Sequence, residues 1–131
     1  PVIMEVAAGM RPELRVFGRD YDTKDGTGVR DYVHVNDLAV AHVAALERME
    51  RTNESLVVNL GSEEGLSVLE ILEAARRITG KPVPATIEGR RPGDPAKLVA
   101  SSALAAEKLG WKARYSDVDT LVETSWKAYE R

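Results

Sequence analysis

Gly26-Thr27-Gly28-Val29-Arg30-Asp31-Tyr32-Val33-His34-Val35-Asn36-Asp37 is the stretch from which the rest of the chain can be read. It opens as a glycine-rich turn, since Gly26 and Gly28 tolerate backbone angles closed to other residues. Val29 to Val35 has the residue types of a strand. A period of two would set Arg30, Tyr32 and His34 on one face and Asp31, Val33 and Val35 on the other. Asn36 and Asp37 are favoured helix caps, and Leu38, Ala41, Ala45, Leu46 and Met49 follow at helical spacing. An arginine and a tyrosine would then point the same way, backed by valines. Such a surface can hold an anionic ligand that carries a ring.

On the N-terminal side, Arg19 to Gly28 is polar and reads as a surface loop, either a plain connector or a lid over a ligand. Leu14 to Phe17 is a short apolar strand before Gly18. Further back, Val2, Ile3, Val6 and Ala7 have the pattern of the later part of an amphipathic helix. No capping residue precedes them, and the chain is expected to be a fragment.

On the other side, a helix is expected from Asp37 to about Glu50. Leu56 to Leu60 is a nearly continuous apolar run, the composition of a strand buried on both faces of a parallel sheet. Ser67-Val68-Leu69-Glu70 has capping-box spacing and opens a helix that Gly80 ends. Val83 to Ile87 reads as a short edge strand, because Pro84 cannot donate to a ladder. Ser101-Ser102 caps a short helix ending at Gly110, Trp111 reads as an anchor of the core, and Ser116 or Asp117 caps the last helix.

Glu88-Gly89-Arg90-Arg91-Pro92-Gly93-Asp94-Pro95 is the second unusual stretch. The guanidinium fork matches phosphate oxygens, and a charge-assisted bond contributes ~1.5–3 kcal/mol. A neighbouring aspartate can accept from vicinal hydroxyls. Taken alone, the stretch is equally a solvated Arg–Asp pair contributing ~0–1 kcal/mol.

The chain has 131 residues, enough for one domain, with 44% apolar and 30% charged residues and a net charge of -3. That balance gives no electrostatic reason to expect nucleic acid or an anionic membrane as partner. No apolar run approaches the ~20 residues that span a bilayer. There is no cysteine, hence no disulfide, thiol nucleophile or thiolate site, and a reducing cytoplasm fits. The two histidines, His34 and His42, have no metal-ligand spacing.

With both arginine stretches read, the chain resembles a known family. The signatures are Val16-Phe17-Gly18, Asp20-Tyr21, Asp25-Gly26-Thr27, Val29-Arg30-Asp31-Tyr32, His34-Val35, Asp37-Leu38-Ala39, Asn59-Leu60-Gly61, Arg90-Arg91, Gly93-Asp94-Pro95 and Leu109-Gly110-Trp111. From Leu14 to Arg131 it is similar to the C-terminal part of bacterial UDP-galactose 4-epimerases (UDP-glucose 4-epimerases) of the extended short-chain dehydrogenase/reductase superfamily. The resemblance implies a small mixed α/β substrate-binding domain without the N-terminal dinucleotide-binding Rossmann domain. It implies uracil contacts from the backbone of Arg15, Val16 and Phe17, diphosphate contacts from Arg30 and Arg91 with Tyr32 in the same wall, and a ribose contact from Asp94. Leu98 would border the sugar, where a tyrosine or a cysteine often sits in the family.

The family's enzymes use NAD, held by Gly-x-x-Gly-x-x-Gly after a first strand, and a Tyr-x-x-x-Lys acid-base pair. Neither motif occurs here: Gly61 and Gly65 have the wrong spacing, and no tyrosine has a lysine four residues later. The chain alone is therefore expected to bind no NAD, to carry no catalytic residue and to be inactive. The expected partners are a UDP-sugar and either a second copy or the missing dinucleotide domain, with Leu56–Leu60 as the unpaired strand. The alternatives are a non-catalytic nucleotide-binding or interaction module, and a fragment of a related decarboxylase or dehydratase.

Overall fold

The computed structural model describes residues 1–130, which form five helices and five short strands. In chain order these are α1 (Val2–Ala7), β1 (Leu14–Phe17), β2 (Val29–Arg30), α2 (Val35–Thr52), β3 (Leu66–Ser67), α3 (Val68–Thr79), β4 (Ala85–Glu88), β5 (Lys97–Leu98), α4 (Ala103–Leu109) and α5 (Val118–Lys127). The fold is small mixed α/β, as the residue patterns predict. β1 and β4 pair in parallel with Val16 opposite Ile87, while β2 lies between antiparallel β3 and parallel β5 with Arg30 opposite Leu98.

The larger core gathers Met4, Val16, Leu72, Ala75, Val83, Val122 and Trp126, so α3 is buried between α1, β1 and α5. Helix α3 starts where the sequence places it. Ser67 Oγ accepts from the Glu70 amide while the Glu70 carboxylate accepts from the Ser67 amide, and Gly80 closes the helix in the left-handed region at φ +64°. A smaller core sets Trp111 against Ala41 and Ala105, and the indole Nε1 donates to the Asp37 carbonyl at 2.8 Å.

Four expectations are corrected. The strand beginning at Val29 ends at Arg30 instead of running to Val35. Asp31 turns its carboxylate to accept from the amides of Ser62 (2.9 Å) and Ala100 (3.0 Å), a crosslink to two other segments that ends the alternation. His34, not Asn36 or Asp37, caps α2, with Nδ1 accepting from the Asn36 amide at 3.0 Å. His34 is thus buried at the helix start, Val35 is exposed, and no valine face backs Arg30 and Tyr32 as expected. Third, Leu56–Leu60 carries no strand. Leu56, Val58 and Leu60 are half-buried, with Val58 and Leu60 against the smaller core, while Val57 is 89% exposed. An apolar run becomes a strand only where a neighbour accepts its amides, and the described residues offer none. Fourth, the strand expected from Val83 to Ile87 is β4, which begins at Ala85 and runs to Glu88, because Val83 is drawn into the core and the Pro84 carbonyl accepts from the Leu14 amide.

The Arg19–Gly28 loop is tied down, which favours the connector over the lid. Asp25 accepts from the Thr27 amide (2.9 Å) and hydroxyl (2.7 Å) and from the Ser67 hydroxyl, and Lys24 pairs with Glu70. Burial pushes the Asp25 carboxyl up, but those bonds and Lys24 outweigh it and hold it below the ordinary value. No described helix is long and apolar enough to cross a membrane.

Candidate functional site

Parallel pairing makes β1 and β4 end side by side, so Phe17-Gly18 and the turn after Glu88 emerge together, and the Gly18 amide donates to the Glu88 carbonyl at 2.9 Å. The turn then crosses to β5, whose partner is β2. One short segment, residues 89–96, therefore joins the two sheets and passes between Phe17 and Arg30.

Arg91 and Asp94 sit at the two ends of this turn, with the Asp94 amide donating to the Arg91 carbonyl at 3.2 Å. The Arg91 guanidinium lies over the Phe17 ring, 3.6 Å from its centroid. This cation–π contact holds the charge beside the end of β1 and leaves the guanidinium N–H groups free to point outward. Across the turn, Arg30 Nη2 donates to Asp94 Oδ1. Phe17 and Arg30 thus hold the two ends of the same turn, Phe17 through Arg91 and Arg30 through Asp94.

The ladder also decides which backbone groups of β1 are free. Leu14 and Gly18 donate to β4, and in a parallel ladder alternate residues direct both polar groups to the same neighbour. Val16 therefore spends its amide and carbonyl on β4 and its side chain on the core. Arg15 and Phe17 direct their backbone amides and carbonyls to the other edge. Beside it runs a groove lined by Val2, Arg11, Leu14, Arg15, Phe17 and Arg91.

The remaining candidates fall less neatly. Tyr32 is half-buried near Arg30; burial pushes its phenol up and the Arg30 cation pulls it partly back. Leu98 is exposed, in register with Arg30. Arg91, Arg15 and Phe17 line the groove at β1, whereas Arg30, Asp94, Tyr32 and Leu98 lie outside it, towards the far end of the 89–96 turn.

Of the two adjacent arginines, the structure turns Arg90 away from the groove and towards Asp20 and Tyr21, a pairing the sequence does not show. Arg90 lies over the Tyr21 ring at 4.3 Å and donates to Asp20 Oδ1 at 2.8 Å, which holds the Asp20 carboxyl below its ordinary value. This clamp fixes the neighbouring Arg91. The only hint in the sequence was Asp20-Tyr21 ahead of the glycine turn, with Arg90 adjacent to Arg91.

A dinucleotide pyrophosphate does not fit the described residues. It needs a helix start whose first amides are free, behind glycines. Helix α3 has its first amides engaged by Ser67 and Thr27, α2 is capped by His34, and α5 is capped by the Asp117 carboxylate. The short helices α1 and α4, which no side chain caps, have Pro1 and Ser102 at that position and not a glycine. Among the described residues no three metal-ligating side chains come together.

Comparison with known proteins gives a consistent result. The chain is 54% identical over 130 residues to the UDP-glucose 4-epimerase of Lacticaseibacillus casei, covering 99% of this chain and 39% of that protein. In structure it is similar to the UDP-glucose-4-epimerase of Stenotrophomonas maltophila, solved with NAD and formylated UDP-arabinopyranose. The TM-score is 0.94 at 49% identity, over 98% of this chain and 38% of that one. The enzyme of Bifidobacterium longum, solved with NAD+ and UDP, gives a TM-score of 0.87 at 42% identity over the same shares. The chain thus spans about two fifths of the length of the relatives it matches. The family model described as GDP-mannose 4,6 dehydratase matches residues 1–124, and the chain belongs to that family.

Proposed function

We propose that this chain is the UDP-nucleotide-binding, C-terminal part of an NAD-dependent UDP-glucose 4-epimerase, working in the cytoplasm and inactive by itself. The observation that carries the reading is one turn that sets Arg91 over Phe17, beside the free backbone edge of Arg15 and Phe17, and ties Arg30 through Asp94 at its other end. A uracil, which has one donor and two acceptors in its plane, suits such an edge. The two guanidinium groups suit the diphosphate, and Asp94 suits a ribose hydroxyl. Val16 is withdrawn from the polar contacts and keeps the strand in place. Tyr32 and Leu98 remain the proposed outer wall towards the sugar.

In the parent enzyme NAD would take and return the hydride at the sugar, chemistry that belongs to the cofactor. The residues of this chain would bind and orient the nucleotide end. The Rossmann domain that holds NAD would lie in the other three fifths of the parent's length.

Calorimetry with UDP tests the reading. Binding should be weak and sensitive to salt, because one wall of the cleft is missing. Arg30→Ala or Arg91→Ala should lower affinity by about tenfold, the loss of one charged hydrogen-bonding group. Equal affinity of wild type and both variants would remove the assignment.

A second feature favours an association. Val40, Val43, Leu46 and Met49 are exposed along α2, and Val57 is exposed nearby in sequence. The proposed occupant is the missing dinucleotide domain or, for the isolated chain, a second copy. Sedimentation should show association that grows with concentration and weakens in Val43→Glu. A strict monomer at high concentration would refute it.

A further inference from the structure

We infer that Asp94 and Gly28 together hold Arg30 in a parked pose that an arriving diphosphate must displace, so that occupation of the phosphate site releases the Asp94 carboxylate for a hydroxyl donor. The inference rests on the nucleotide reading above and concerns the regulation of the same site.

Arg30 is a residue to which that reading gives the phosphate, yet both of its terminal nitrogens already donate within the protein. Nη1 donates to the carbonyl of Val29, its own neighbour, at 2.8 Å, and Nη2 donates to Asp94 Oδ1. To make both bonds the guanidinium folds back across Gly28. A Cβ built on Gly28 would meet Arg30 Nη1 at 3.1 Å and its Cζ at 3.4 Å, with no other non-neighbouring group among its nearest contacts. Gly28 does not have positive φ, so the backbone there does not require glycine. What the missing Cβ provides is room for the parked guanidinium.

The pair is only partly shielded, with side-chain exposures of 24% for Arg30 and 33% for Asp94. A pair so placed is easily exchanged for a better partner. A diphosphate offers two negative groups and several acceptor oxygens against one carboxylate oxygen. The exchange has a second consequence. While Arg30 is parked, Asp94 Oδ1 already accepts a charged bond, which leaves only Oδ2 for a hydroxyl and draws negative charge away from it. Phosphate and hydroxyl binding are thereby coupled, and a nucleoside without phosphates gains little at Asp94.

Two substitutions separate parking from simple charge repulsion. Asp94→Asn removes a negative charge and weakens the latch to a neutral acceptor. Gly28→Ala crowds the parked pose and leaves every charge in place. The measurement is calorimetry of the full chain with inorganic pyrophosphate and with UDP, on both variants, on Arg30→Ala and on the wild type, with thermal melting to confirm folding. Both unparking variants should bind pyrophosphate about two- to fivefold tighter, the range of a partly exposed ion pair. In Asp94→Asn the gain should be smaller for UDP, because the hydroxyl acceptor is weakened.

Tightening in Asp94→Asn alone would mean repulsion without parking and overturn the inference. So would no tightening in either variant while Arg30→Ala still weakens binding, an outcome that leaves the nucleotide reading intact. Pyrophosphate and UDP binding indifferent to Arg30→Ala would overturn both.

Discussion

Asp37→Ala should destabilise the chain by about 3 kcal/mol, the cost of leaving several inward-facing donors without an acceptor. Asp37 is 2% exposed at the start of α2. Its carboxylate accepts from the amides of Arg114 (2.9 Å) and Tyr115 (2.9 Å) and from the Ser116 hydroxyl (2.6 Å). Ser116 in turn accepts from the His34 amide at 2.9 Å, so one carboxylate ties the segment before α5 to the start of α2. Burial pushes the Asp37 carboxyl up, but the Ser116 bond, the two amides and nearby His34 outweigh it, and the result lies below the ordinary value. The sign follows. A carboxyl whose folded pKa is lowered contributes stability that is complete above its unfolded value of about 3.9 and is lost as pH falls through the folded value. Denaturant unfolding between pH 7 and pH 2 should show this loss in the wild type and a flatter profile in Asp37→Asn. Equal acid sensitivity in the two would remove Asp37 as its source.

Gly61→Ala should cost on the order of 2–3 kcal/mol and lower nucleotide affinity with it. The added Cβ would fall on Asp31 Oδ2 and lie 3.0 Å from both the Cβ and the carbonyl oxygen of Ala100. Asp31 cannot simply swing aside, because it holds the amides of Ser62 and Ala100 and the Ser62 hydroxyl (2.6 Å). Gly61 itself is held by Ser102, whose hydroxyl accepts from the Gly61 amide (2.8 Å) and donates to its carbonyl (2.7 Å). Overpacking would therefore break the Asp31 crosslink or shift the segment after β5. Either response disturbs the register of Arg30 with Leu98. Thermal melting together with UDP calorimetry reads both effects. Unchanged stability would show that the 61–62 segment yields freely.

What could be read from the residues was what local chemistry decides. The Ser67 capping box, the Gly80 stop and the Leu14–Phe17 strand follow from neighbours a few positions away, and the structure has them where expected. Leu56–Leu60 was misread because an apolar run states only a preference, while a strand needs a distant partner. β3 and β5 are two residues each, too short to leave a period. His34 as a cap escaped notice because its acceptor is a ring nitrogen and not the usual side-chain oxygen. At the site, residue types marked Arg30, Arg91 and Asp94, but no spacing rule brings Arg91 onto Phe17, some seventy positions earlier. The withdrawal of Val16 from the exposed edge needed the pairing of β1 with β4.

The proposed uridine diphosphate site runs from the groove beside β1 across the 89–96 turn to Arg30. Amide-resolved NMR of the chain during titration with UDP checks this placement residue by residue. The amide signals of Arg15 and Phe17 should move together with those of Arg30, Arg91 and Asp94, along one saturating curve, while those of α5 stay still. Movement confined to residues remote from the 89–96 turn, or no movement at millimolar UDP, would contradict it.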